Sequence, residues 1–180
     1  MNILGIDGSP GGGGRTAHVV TAVLNGASIS GADTSFVRLS ENRDYSEVIE
    51  RMEAADGIVL GSPVYRASFA WPLKVLLDQI TRGLFEDGPS VLQGKAVAIV
   101  MSGGTMHHFL GLNDLRNVLG GFFAAHVIPP GLYVSSEGFI DEGQLSGSFA
   151  GEAQRQGQAL NELAEALSNS VVLKTLVPQV

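Results

Sequence analysis

Short apolar runs alternate with stretches of helical periodicity along the whole chain. The runs lie at Ile3–Asp7, Ser35–Leu39, Gly57–Gly61, Ala96–Met101 and Val127–Val134. This alternation is typical of βαβ units, in which helices join parallel strands. The first, third and fourth runs are nearly continuous in apolar residues, as expected for strands that helices cover on both faces. Pro129 and Pro130 cannot donate hydrogen bonds within a sheet, so the fifth run is predicted to be an edge strand.

The stretches between and after these runs carry apolar stripes at helical spacing. Five helices are predicted from the stripes Ala17-Val20-Leu24, Tyr45-Val48-Ile49-Met52, Leu73-Leu76-Leu77-Ile80, Leu112-Leu115-Leu119-Phe122 and Leu160-Leu163-Ala164-Leu167. Five strands alternating with five helices predict an α/β three-layer sandwich with a five-stranded parallel sheet. The flavodoxin-like strand order 2-1-3-4-5 fits this pattern best. We expect residues 1–180 to form one such domain, with an apolar tail at 171–180.

Composition narrows the classes of function. The chain has no cysteine, which removes disulfides and thiolate metal sites and is compatible with the cytoplasm. A net charge of −7 without a basic cluster argues against a nucleic-acid partner. There is no apolar run of the roughly 20 residues that a membrane-spanning helix needs. The strand-like start of the chain does not resemble a secretory signal, so a cytoplasmic location is expected.

Three unusual loops follow the first, third and fourth predicted strands. Ligands of such sheets bind beyond the carboxyl ends of the strands, near the point where the strand order reverses. The first loop, Gly8–Thr16, runs into a helix whose amino terminus favours anions. Ser9, Thr16 and Arg15 add hydroxyl and guanidinium donors suited to phosphate oxygens. Its spacing matches neither a Walker A loop nor GxGxxG, and the alternative is a flexible glycine turn.

The second and third loops could border a flat ligand. The second, Gly61–Phe69, contains Pro63, which predicts a turn of fixed shape, and Tyr65, which offers an aromatic face. The alternative is an ordinary turn with Tyr65 as a half-buried anchor. In the third loop, Ser102–His108, two glycines allow close approach to the backbone.

The adjacent histidines of the third loop, His107 and His108, raise the question of a metal site. A carboxylate or a third imidazole at a suitable spacing is missing from the surrounding sequence. We therefore predict no metal site, and expect at most one of these histidines to line the pocket.

At these loops the sequence resembles the NADPH-dependent FMN reductase family, whose members have a flavodoxin-like fold. The resemblance runs from NILGIDGSP and GRT through GSPVYRASF and PLKVLLDQ to SGGT. It implies that the FMN phosphate lies at the first loop and that the second and third loops border the isoalloxazine ring. The residues implied are Ser9, Arg15 and Thr16 for the phosphate, Pro63, Val64, Tyr65 and Arg66 on one side of the ring, and Ser102, Gly103, Gly104 and Thr105 on the other.

The resemblance also implies an activity. NADPH or NADH would reduce FMN. The electrons would then pass to a small-molecule acceptor such as free flavin or a quinone, or reduced flavin would be released to a partner monooxygenase. The flavin itself carries out hydride transfer, so no catalytic acid or base is assigned. Family members commonly form homodimers or homotetramers, to which the apolar tail and Trp71 could contribute. Trp71 could instead pack under its own helix.

Two other functions stay open at this point. A flavodoxin-type electron carrier would bind FMN without oxidising a pyridine nucleotide, although Arg15 and the SPVYRASF segment favour the reductase. A flavin-free protein with a regulatory or assembly role is the second, because the glycine run Gly11–Gly14 departs from the family pattern.

Overall fold

The structure, a computed structural model, describes residues 1–42, 44–83, 88–141 and 143–178. Within these residues seven strands form one sheet. They are β1 (Asn2–Asp7), β2 (Asp33–Arg38), β3 (Gly57–Tyr65), β4 (Ser68–Phe69), β5 (Ala96–Gly103), β6 (His126–Val127) and β7 (Leu132–Ser135).

The strand order across the sheet is β2-β1-β3-β5-β6, with β7 also pairing with β5. All of these pairings are parallel, and the short β4 pairs antiparallel with the end of β3. The fourth and fifth predicted strands correspond to β5 and to β6 with β7. The predicted flavodoxin-like order 2-1-3-4-5 is therefore confirmed.

The fifth predicted strand is divided in two. Its run Val127–Val134 contains the Pro129–Pro130 pair, and the ladder to β5 is interrupted there. Val127 pairs with Val97, and pairing resumes at Leu132 with Val100. Both pieces lie at the edge of the sheet, because prolines cannot supply the missing donors in its middle. The prediction of an edge strand is confirmed, but the prediction of one continuous strand over Val127–Val134 is wrong.

Helices cover both faces of the sheet, as the continuous apolar strands require. The helices are α1 (Arg15–Ile29), α2 (Ser46–Ala54), α3 (Trp71–Gln79), α4 (Gly111–Arg116), α5 (Gly147–Ser168) and α6 (Val171–Lys174). One core joins α1 and α5 to one face of the sheet, and a second core joins α2, α3 and α4 to the other. Alternate residues of each strand enter opposite cores, so that Ile3 faces α1 while Leu4 faces α2.

Glycines bring α1 and α5 close together. A Cβ atom on Gly157 would overlap the carbonyl oxygen of Val23 and lie 2.5 Å from the nitrogen of Ala27. A Cβ atom on Gly26 would likewise lie 2.7 Å from the Cα atom of Gln154. Close packing at these positions therefore requires the absence of a side chain.

Two helices differ from their predicted extents. The predicted stripe of α5 begins at Leu160, whereas the helix begins at Gly147, because its first turns are mostly polar or small and carry no stripe. The fourth helix continues from α4 as a wider π-helical segment, Asn117–Phe122. In the apolar tail, Val171 and Val177 are exposed; residues 179 and 180 lie outside the described part.

None of the helices described here is long and apolar enough to cross a lipid bilayer.

Candidate functional site

The three loops singled out in the sequence lie at one edge of the sheet, at the carboxyl ends of β1, β3 and β5. The first and second loops are joined where the N–H of Gly8 donates to the carbonyl oxygen of Gly61 at 2.8 Å. The first and third are joined by the hydroxyls of Thr16 and Ser102, which lie 2.7 Å apart. Both hydroxyls are buried. The loops therefore share a common floor at the point where the strand order reverses.

The first loop ends in backbone donors that lack acceptors. Gly12 and Gly13 have φ of 64° and 66°, the left-handed region that favours glycine. Gly14 caps α1 without a side-chain hydrogen bond. Within the described residues, the N–H groups of Gly13–Ala17 have no acceptor. Together with the positive end of the helix dipole, these donors form an anion-binding geometry.

The side chains of the first loop are engaged within the protein. Ser9 donates its hydroxyl to Asp7 Oδ1 at 2.5 Å. Arg15 donates to Ser136 Oγ at 2.6 Å, and its guanidinium lies 5.4 Å from the centre of the Phe139 ring. The guanidinium is exposed and keeps further donors. The backbone therefore supplies the free donors at this loop, together with the remaining guanidinium donors.

The second loop is a hairpin and differs from the predicted turn. β3 continues past Gly61 to Tyr65, and Pro63 lies within it, opposite Ser102 of β5. The chain reverses at Arg66 and Ala67, whose φ values are 54° and 66°. Positive φ at both central residues is the geometry of a type I′ turn, which asparagine and glycine normally supply. β3 is longer than the predicted run Gly57–Gly61, because its last residues pair with β4.

A buried serine fixes this hairpin to the next helix. Ser62 accepts a hydrogen bond from the N–H of Ala70 at 2.8 Å and donates its hydroxyl to the carbonyl oxygen of Pro63. Ala70 immediately precedes α3. Val64 is half-buried at the end of the strand, while Tyr65 and Arg66 are exposed at its tip.

The third loop lies on a buried tyrosine. Ser102 and Gly103 are the last residues of β5, and Gly104 and Thr105 follow them in exposed positions. The hydroxyl of Tyr133 donates to the carbonyl oxygen of Thr105 at 2.5 Å. A Cβ atom on Gly103 would overlap that hydroxyl. Burial raises the pKa of Tyr133, so its hydroxyl stays protonated as a donor at neutral pH.

Several large apolar side chains in or next to the second and third loops are exposed. We call this set the rim patch: Tyr65, Trp71, Met106, Phe109 and Leu110, each between 49% and 62% exposed. The hairpin adjoins the start of α4, since a Cβ atom on Gly111 would lie 3.3 Å from the carbonyl oxygen of Ala67. Trp71 is 62% exposed, so the alternative that it packs under its own helix is wrong. His107 and His108 are also exposed, and the described residues contain no metal-binding cluster.

Sequence reasoning missed four residues at the site. Asp7 was assigned to the apolar strand β1 and overlooked as a buried carboxylate under the first loop. Tyr133 lay inside the fifth apolar run, with nothing to mark its hydroxyl. Ser136 and Phe139 follow β7, and both contact the guanidinium of Arg15. Ser136 lies 121 residues after Arg15 in the sequence. The polar, glycine-rich composition after β7 was the available signal for a fourth loop at this edge.

Comparison with known proteins identifies the family. The model of the NADPH-dependent FMN reductase family matches residues 1–139. The chain belongs to this family. Membership confirms the resemblance and, at the level of the family, the oxidoreductase class with FMN and NAD(P)H as cofactors.

Individual relatives agree with the family assignment. The chain is 30% identical to an NADH-dependent FMN reductase, SfnF, of Pseudomonas putida over 155 residues, covering 77% of this chain and 80% of that protein. It is 32% identical to an NAD(P)H-dependent FAD/FMN reductase of Geobacillus thermodenitrificans over 106 residues, covering 59% of this chain. That match spans about half, 54%, of the relative's length.

A solved structure supports the fold. The apo form of an NADH:FMN oxidoreductase named EMOB aligns with a TM-score of 0.75 and 22% identity. The alignment covers 97% of this chain and 94% of that chain.

The residues at the carboxyl edge fit FMN. Its phosphate matches the unpaired N–H groups at the start of α1, in a loop where Gly13 and Gly14 have open space on their Cβ side. Gly104 leaves similar open space in the third loop, where a flat ring could approach the backbone.

Proposed function

We propose that this protein is an NAD(P)H-dependent FMN reductase that passes electrons from a nicotinamide to flavin and on to a small acceptor. One observation carries this proposal: the unpaired N–H groups at the start of α1 share a floor with the β3 and β5 loops. That arrangement suits a ligand with an anionic end and a flat end. Family membership supplies the chemical identity of such a ligand, FMN.

The phosphate end of FMN is assigned to the first loop. Its donors are the N–H groups of Gly13–Ala17, with Arg15 adding charge from the rim of the site. Ser9 and Thr16 border the same position, and their internal hydrogen bonds hold the loop in shape.

The ring end is assigned to the two other loops. Pro63, Val64, Tyr65 and Arg66 lie on the β3 side. The β5 side is formed by Ser102, Gly103, Gly104 and Thr105. Because Ser62 and Tyr133 hold these loops from below, the backbone can present fixed donors and acceptors to a ring edge.

The chemistry assigned to this site is hydride transfer. When bound, FMN would supply the redox chemistry of this transfer. The protein would bind the flavin and leave one face of its ring open to the nicotinamide. We assign the exposed aromatic side chain of Tyr65 to contact with these rings.

The proposal also includes the class of electron acceptor and the oligomeric state. We assign the acceptor to the class of free flavins, quinones and similar small molecules, with transfer of reduced flavin to a monooxygenase as one use. A second copy of the chain would cover the rim patch in a homodimer or homotetramer, since all of its large apolar side chains are exposed. The whole described chain acts as one FMN-binding domain in this account, located in the cytoplasm.

Steady-state assays test the proposal. NADPH and NADH oxidation is followed at 340 nm with the protein alone, with FMN, and with FMN plus a quinone. Oxidation that depends on both protein and FMN supports the reductase. FMN binding without pyridine-nucleotide oxidation would instead indicate an electron carrier, and absence of flavin binding would refute the assignment altogether.

A further inference from the structure

The side chain of Arg15, at the start of α1, is held by a distant part of the chain. Its guanidinium donates to Ser136 Oγ at 2.6 Å and lies 5.4 Å from the centre of the Phe139 ring. Both partners are half-buried, whereas Arg15 itself is exposed. A guanidinium is attracted to the face of an aromatic ring, so the ring and the hydroxyl act on it together. The long side chain is therefore restrained at the surface and does not sample all of its rotamers.

The chain after β7 that supplies these partners is fixed by its own contacts. We call residues 136–141 and 143–146 the β7–α5 segment. Phe139 and Leu145 form a β-bridge across it. The N–H of Ser146 donates to the carbonyl oxygen of Gly138 at 2.8 Å. The backbone that carries the Phe139 ring is thus held in place without any contribution from Arg15.

The β7–α5 segment lies beside the first and third loops. Ser135, the residue before it, pairs with Gly103 at the end of β5. Within it, Gly143 adjoins α1, because a Cβ atom at that position would lie 3.0 Å from ring atoms of His18. His18 follows Arg15 by three residues and so lies on the same side of the helix. The segment therefore runs from the carboxyl edge of the sheet along the first turn of α1.

The contacts with the β7–α5 segment leave the charge of Arg15 available. A guanidinium has five N–H donors, and only Nη1 donates to Ser136. Among the described residues Arg15 forms no ion pair with a carboxylate. A hydroxyl and an aromatic ring orient the guanidinium without neutralising it. An arginine restrained in this way binds an anion with a smaller loss of conformational entropy than a freely rotating one.

We propose that Ser136 and Phe139 are positioning residues that hold Arg15 ready for the phosphate of FMN. The inference rests on the proposed function, since it takes this phosphate as the anion at the start of α1. It adds the β7–α5 segment to the site as a fourth loop, which orders a side chain of the first. Riboflavin lacks the phosphate and gains nothing from this order, so the two flavins report on it separately.

Single substitutions remove the two contacts one at a time. Phe139→Leu keeps an apolar side chain but offers no aromatic face, and Ser136→Ala removes only the hydroxyl. Ser136→Thr retains a hydroxyl and is the conservative variant.

Phe122→Leu is the matched control. Phe122 is also half-buried, and its ring lies 6.0 Å from the guanidinium of Arg82. It ends the π-helical segment shortly before β6 begins, and so lies at the opposite edge of the sheet. Dissociation constants of FMN and riboflavin are measured for each protein by flavin fluorescence quenching.

We expect Phe139→Leu and Ser136→Ala each to raise the FMN dissociation constant by about three- to tenfold, the cost of ordering one long side chain on binding. The riboflavin constant should stay within about twofold, because no phosphate contact is lost. Ser136→Thr and Phe122→Leu should leave both constants near those of the unaltered protein. Equal weakening of both flavins, or an unchanged FMN constant, overturns the inference. A lowered FMN constant also overturns it, since the contacts would then hold Arg15 away from the phosphate.

The same substitution made without the arginine separates positioning from a structural role. When Phe139→Leu is added to Arg15→Ala, the FMN constant should change by less than about twofold, because the side chain that the ring orients is gone. A structural role for the ring predicts the same loss with and without Arg15, and that result overturns the inference.

The outcomes also separate this inference from the proposed function. Ser136→Ala removes a single half-buried hydroxyl and keeps the test open if Phe139→Leu fails to fold. Unaltered protein that binds neither flavin would defeat the proposed function itself. Normal flavin binding without a response to Ser136→Ala or Phe139→Leu defeats only the positioning role.

Discussion

The hydrogen bond between Thr16 and Ser102 should couple the first and third loops energetically. The two buried hydroxyls lie 2.7 Å apart, and each is the other's partner. Thr16→Val or Ser102→Ala leaves one buried hydroxyl unsatisfied, which costs about 1–3 kcal/mol of unfolding free energy. The double variant removes both hydroxyls and therefore leaves none unsatisfied. Its cost should therefore be smaller than the sum of the single costs by about 1–2 kcal/mol.

A double-mutant cycle measures this coupling. Unfolding free energies come from urea titrations followed by circular dichroism at 222 nm, with equal slopes required among the four proteins. Thr34→Val is the control, since Thr34 is exposed on β2 and should shift stability by no more than about 0.5 kcal/mol. Additive single costs, within about 0.3–0.5 kcal/mol, would refute the claim that this bond ties the loops together.

Three further predictions concern other contacts. Arg15→Ala should weaken FMN binding by about 1.5–3 kcal/mol and leave riboflavin nearly unchanged in fluorescence titrations; equal weakening of both flavins would mean that Arg15 serves only the Ser136 contact. Gly157→Ala should lower the unfolding free energy by about 1–3 kcal/mol in urea, because the added methyl overlaps the α1 backbone; an unchanged midpoint would contradict that packing. Trp71→Ala should reduce the mass seen by light scattering or raise the KM for NADPH, with little loss of thermal stability; a change in stability alone would remove Trp71 from the site.

The sequence was most informative where local chemistry decides structure. Continuous apolar runs predicted the buried parallel strands, and the glycine run before a helix predicted the anion-binding geometry at α1. The hairpin was missed because Arg66 and Ala67 are not residues that usually occupy positive φ. The strained turn is retained because β4 pairs with β3 and Ser62 holds Ala70 from below.

Contacts between distant parts of the chain could not be inferred from local patterns. Nothing near Arg15 in sequence indicates that its guanidinium meets Ser136 and Phe139. Asp7 was counted only as the last residue of the first apolar run, and that run does not indicate that its carboxylate is buried. The start of α5 was also hidden, because its first turns lack the apolar stripe by which helices are recognised.

The central claim is that a nicotinamide reduces flavin held by this protein, and anaerobic stopped-flow mixing tests it most directly. Three samples are prepared: protein with FMN, protein alone and FMN alone. Each is mixed with NADPH or with NADH, and the flavin absorbance near 450 nm is followed. We expect the absorbance to fall rapidly with FMN and protein together, and to stay constant when either is omitted. Flavin that binds, as judged by fluorescence quenching, but stays oxidised with both nucleotides would contradict the assignment as a reductase.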